Sequence, residues 1–216
     1  MNKGFFVLAL AGGLAGSSQA FSLFDFESNP ATATYSGSTG GYTSLAQTNA
    51  GLTLTITRST GNRFDVFDNT TMGGGFHFPL TWQAHSLSPF FASGANDFFV
   101  GNFSSAVNAV ELEGLDFSPD SDTLVMQVWS GLNGTGTLLS TVTNNWGTNV
   151  GPSYIAVGWN GGTTSSAQSI VFRGGSTAAP QSMFIDNIAA TAVPEPATMA
   201  ALGMGVLALI RRRRQK

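Results

Sequence analysis

Hydrophobic and polar positions alternate or cluster over short runs that break at Gly, Asn, Asp, Pro or Ser. The pattern predicts strands over residues 21–27, 51–57, 63–67, 97–103, 106–117, 123–130, 137–142, 154–159, 168–173 and 183–189. Leu52, Leu54 and Ile56 alternate with Thr53, Thr55 and Thr57, the period of a strand with one buried face. Val125 and Val128 lie in an almost continuous apolar run, which predicts a strand buried on both faces. Asn133-Gly134, Asn160-Gly161-Gly162, Gly174-Gly175 and Ser118-Pro119-Asp120 carry the turn chemistry between strands. Residues 31–50 and 69–93 read as long loops, the second with a short strand around residues 76–78. Between the two ends no long segment keeps a helical period. Many short strands with short polar breaks predict an all-β fold, a jelly-roll-like two-sheet antiparallel β-sandwich.

The two ends follow different patterns. Lys3, then an apolar run over residues 5–14, then Ser18-Gln19-Ala20 has the order of a secretory signal peptide over residues 1–20, cut after Ala20. At the other end Val193-Pro194-Glu195-Pro196 is stiff, because two prolines fix their φ angles. Residues 197–210 carry no charge. As a short hydrophobic helix at ~1.5 Å per residue they reach ~21 Å, against about 30 Å of hydrocarbon. Arg211, Arg212, Arg213 and Arg214 follow, and such a cluster stays on the cytoplasmic side. The short span predicts a transient stop in the inner membrane, with the body outside.

Pro-Glu-Pro, a short apolar helix and a basic end, in a chain with an N-terminal signal, closely resemble the PEP-CTERM protein-sorting domain of Gram-negative bacteria. The resemblance covers residues 193–216 and implies an exosortase as processing partner, cutting near Pro194–Pro196. It implies export to the cell surface, outer membrane or extracellular matrix, in bacteria that make extracellular polysaccharide and biofilm. The chain then divides into a signal peptide (1–20), a β-sandwich ectodomain (21–190) and a sorting segment (191–216). Phe24-Asp25-Phe26-Glu27, the run over residues 110–117 and Phe184-Ile185-Asp186-Asn187-Ile188 loosely resemble ectodomains with a carbohydrate-binding-module-like sandwich.

Composition narrows the function. Hydrophobic residues make up 42% and charged residues 10%, against about 25% charged in an average domain, so the chain is not a charge-rich disordered polymer. The 17 Phe can fill a large core, and without cysteine there are no disulfides, thiolate metal sites or cysteine nucleophile. Between Phe21 and Val193 eleven acids face only Arg58, Arg63 and Arg173. That body repels phosphate backbones, which argues against a nucleic-acid partner and for cations or neutral polysaccharide.

Three constellations could carry chemistry. Asp25 and Glu27 lie two apart on the predicted first strand, and Asp186 lies on the last. First and last strands of jelly rolls are often neighbours, so these oxygens can converge on a structural Ca2+. The module resemblance implies the same, since such sandwiches often hold calcium at these positions. Asp65, Asp68 and Asn69 form a second, poorer cluster. Among the tryptophans, Trp146 in a polar Asn-rich stretch and Trp82 near Gln83 and His85 are the candidates for stacking on a sugar, whereas Trp129 and Trp159 read as core. Glu111, Glu113 and Asp116 could pair as in glycosidases. Their order does not match the usual Glu-x-Asp-x-x-Glu, and His77 and His85 lack an evident triad partner. Gly73-Gly74-Gly75 lacks the lysine of a phosphate loop and reads as a flexible turn. The expectation is a non-enzymatic surface or matrix protein, with polysaccharide recognition as the alternative.

Overall fold

The computed structural model describes residues 21–71, 83–88, 97–115, 121–146, 155–176, 182–193, 204 and 210–212. Phe21–Ala192 is one compact unit. Its strands are β1 (Phe21–Phe24), β2 (Ala33–Thr34), β3 (Gly37–Ser38), β4 (Ser44–Asn49), β5 (Leu52–Arg58), β6 (Asp65–Asp68), β7 (His85–Ser88), β8 (Phe99–Leu115), β9 (Asp122–Trp129), β10 (Leu138–Trp146), β11 (Ile155–Asn160), β12 (Ala167–Gly175) and β13 (Phe184–Ala192). The fold is an all-β sandwich.

β8 organises it. Its first part, residues 99–103, pairs with β5 on one edge and β12 on the other. Its second part pairs with β11 and β13. One 17-residue strand therefore belongs to both layers. β9 and β10 extend the β12 side, and β4 extends the β5 side. On the other layer β1 and β7 both pair with β13, and β6, β2 and β3 continue from β7. Strand pairing is antiparallel except between β2 and β6.

The alternation expected of β5 is present: Leu52, Leu54 and Ile56 are buried and the threonines between them half-buried. β9 also alternates, with Leu124, Met126 and Val128 buried and Val125 half-buried, so it is covered on one face rather than two. These side chains join Val110, Leu112, Val157, Ile170 and Ile188 in a single hydrophobic cluster. Phenylalanines knit it: Phe99 stacks on Phe172 at 5.2 Å between centroids and meets Phe64 edge-on at 5.5 Å.

Two expectations fail in instructive ways. Residues 31–50 are not one loop but contain β2, β3 and β4, and β7 lies within 69–93. These strands carry little apolar sequence because they are short or at an edge; β4 buries only Leu45. Residues 97–103 and 106–117 are not two strands but the single β8, which runs through Ser104 and Ser105 where it passes between layers.

One charge pair is fully buried. Arg58 meets Asp97 at 2.9 Å and lies 4.8 Å over the Phe99 ring. Asp97 also accepts from Ser59 and the Thr60 amide. Burial pushes its carboxyl up, but Arg58, Thr60 and Ser59 outweigh this and bring it down to about 2.

Candidate functional site

β1 and β13 pair antiparallel, with Phe24 opposite Ile188. β1 ends there, so Asp25 and Glu27 are not on the strand as expected. They lie in the turn that follows, built around Phe26 at φ 60°. The Asp25 carboxylate accepts from the Glu27 amide at 3.3 Å and from Gln47 Nε2 at 3.2 Å. Glu27 Oε1 accepts from the His85 amide of β7 at 2.7 Å.

On β13 the register slips between Asp186 and Ala189, where three steps of β13 face two of β8. The extra residue is accommodated with Asn187 at φ 50°, a bulge that re-aims its neighbours. Asn187 Nδ2 donates to Glu113 Oε2 at 2.9 Å, and its amide donates to Asp186 Oδ1 at 2.8 Å. Asp186 is 1% exposed, and its Oδ2 has no hydrogen-bond partner. Burial, with the like charges of Glu27, Asp25 and Glu113 around it, pushes its carboxyl up to about 9 despite the Asn187 amide. Gln47 Oε1 and Asn29 Oδ1 are also buried without a partner.

The structure thus brings Asp25, Glu27 and Asp186 into one neighbourhood and adds Glu113, Gln47 and Asn187. The sequence points to Asp25, Glu27 and Asp186, acids set in the apolar runs Phe24-Asp25-Phe26-Glu27 and Phe184-Ile185-Asp186-Asn187-Ile188. Glu113 could be assigned only from the β8–β13 register. Among the described residues no three His, Cys, Asp or Glu side chains close into a metal centre by themselves. A hard cation here would draw on amide and carbonyl oxygens as well.

The other candidates separate. Asp65 accepts from Thr32 and Ser38 hydroxyls at 2.8 Å, pinning the β2–β3 hairpin. Asp68 accepts from the Thr70 amide at 2.9 Å. Trp146 ends β10 opposite Asp122, in a strand rather than a loop, and its side chain lies outside the description. Trp82, His77, Asp116 and Gly73-Gly74-Gly75 lie outside the described residues. Trp159 packs half-buried against the core. It also borders a shallow groove of about 410 Å³ with Phe21, Glu111 and Asn160. Phe21 is 63% exposed there.

At the chain ends residues 1–20, Pro194, Glu195, Pro196, Arg213 and Arg214 lie outside the description. Val193 follows β13 directly, and Ile210, Arg211 and Arg212 are helical. Among the described residues no helix is long and apolar enough to cross a membrane. No match was found among curated protein sequences or solved structures. Residues 192–214, beginning on the last residue of β13, match the PEP-CTERM protein-sorting motif: the chain carries the mark of proteins processed by an exosortase and exported through the membrane to the cell surface.

Proposed function

We propose that the chain is a non-enzymatic surface or extracellular-matrix protein of a Gram-negative bacterium, whose β-sandwich is the cargo and whose tail is the address. The observation that carries this reading is the sorting motif at residues 192–214, joined without a spacer to the last strand of a folded body. A non-catalytic body is supported by the surroundings of the glycosidase-like acids: Glu111 is exposed, and Glu113 is tied to Asn187. The test is the mass of the protein extracted from the cell envelope. It should lack residues 1–20 and end near Pro194–Pro196. Recovery of the uncut chain from the cytosol would overturn the reading.

A second reading is polysaccharide recognition, favoured by the groove beside Phe21. Its lining combines small residues, Ala109, Ala189 and Thr191, with Phe21, Glu111 and Asn160. An exposed ring beside amide and carboxylate groups suits the apolar face and hydroxyls of a sugar. Phe21→Ala should weaken retention on the host's own polysaccharide about tenfold, read by affinity electrophoresis; unchanged retention would remove this groove as the site.

A further inference from the structure

We infer that the recognition segment of the sorting cut reaches back into the body: Thr191 and Ala192, the last residues of β13, must be lifted off the sheet before the exosortase can act. This rests on the reading of residues 192–214 as the sorting tail. β13 runs to Ala192, and only Val193 separates it from Pro194. A cut near Pro194–Pro196 therefore has Val193, Ala192 and Thr191 on its N-terminal side. Extended peptides are held in a partner's cleft by pairing their main chain with a sheet edge. Pro194 and Pro196 have no N–H to offer. Upstream of them the main-chain donors are those of Val193, Ala192 and Thr191.

In the folded body that stretch is already paired. Thr191 lies opposite Ala109 of β8 on one side and Phe21 of β1 on the other, and Ala192 lies opposite Val107. Neither edge of Thr191 is open to a second chain. The end of β13 is nevertheless the part of the strand that comes away most readily. Its large anchors, Phe184, Ile185 and Ile188, are buried and all lie before Ala189. Beyond them the strand holds Ala189, Ala190, Thr191 and Ala192, of which only Ala190 is fully buried. The pairing with β8 also slips between Thr191 and Ala192. Strand ends with small side chains and irregular pairing open locally far more often than the whole domain unfolds. Where opening and reclosing are fast, cleavage follows the population of the opened form. The joint of β1, β13 and β8 therefore sets the rate at which the tail is removed. The cut breaks one peptide bond, its acyl group passing to water or another nucleophile and its amine leaving with the tail. The fold decides only how often that bond is presented.

The test is pulse-labelling of the full chain in a host that makes an exosortase, with precursor and product separated by size. The chain has no cysteine, so Ala109→Cys with Thr191→Cys adds a single disulfide between facing positions, formed on export. The cross-linked chain should be cut about tenfold more slowly than the parent, and reductant should relieve most of the delay. In the cross-linked chain, about eight Gly and Ser residues inserted between Ala192 and Val193 supply about 26 Å of free chain and should restore cutting. A cross-linked chain cut as fast as the parent would overturn the inference and leave the sorting reading standing. So would a cross-linked chain that stays uncut with the insertion in place. A parent chain that is never cut would overturn both.

Discussion

Asp186 and Asp97 are both buried acids, and their surroundings drive them in opposite directions. Asp97 has a guanidinium and several donors, so it stays ionised to about pH 2. Asp186 has one backbone donor and three acids for neighbours, so it keeps its proton up to about 9, against 3.8 in the unfolded chain. Between those two values the folded state holds one more proton than the unfolded state. Stability is therefore fully present at low pH and falls as pH rises through the window. The denaturant midpoint should fall between about pH 5 and pH 8. Asp186→Asn should flatten that dependence and be more stable than the parent by about 1–3 kcal/mol near pH 8. A parent chain whose midpoint rises over the same interval would contradict the assignment. Of these residues, Asp25, Glu27 and Asp186 could be nominated from sequence, because acids beside apolar strand positions stand out. Gln47 could not, and Glu113 stood out only in another role, beside Glu111 and Asp116; each joins this neighbourhood through a partner more than 20 residues away.

Strands were legible wherever one face is buried along their length. β5 could be placed within a residue or two because its apolar positions recur every second residue, and β12 because the apolar run Ile170-Val171-Phe172 ends at Gly174-Gly175. The β8 crossover was hidden, since Ser104 and Ser105 look like a break and are instead the passage between layers. β7 was hidden for another reason: its Ser86 and Ser88 are buried polar residues, and Ser86 is satisfied by Asn69 Oδ1 at 2.7 Å. Close approach of strands also leaves no periodic signal, only a glycine. At Gly174 an added Cβ would lie 2.6 Å from Met183 Sδ and 2.8 Å from Met183 Cβ. Because β12 and the start of β13 are held together by the Met183 amide on the Gly174 carbonyl at 3.1 Å, neither can retreat freely. Gly174→Ala should therefore cost about 1–3 kcal/mol, seen as a Tm lower by several degrees. A neutral substitution would mean that Met183 can swing away.

Taken as one object, the protein has a sandwich body from Phe21 to Ala192 and a sorting motif that begins as the body ends. The address was the most legible part of the chain, since it is written in contiguous residues. The architecture was legible as a class and not as a wiring diagram, because which strands neighbour each other is decided by contacts between distant segments. That wiring has a bearing on synthesis. β13 is the last strand made, yet it sits between β8 and β1 rather than at the rim. Until it has been delivered, β1 lacks its one strand partner among the described residues, and the edge of β8 that β13 covers stays open. The pairing of β1 and of this edge of β8 is therefore completed late in synthesis. The body closes only when its last stave is driven in.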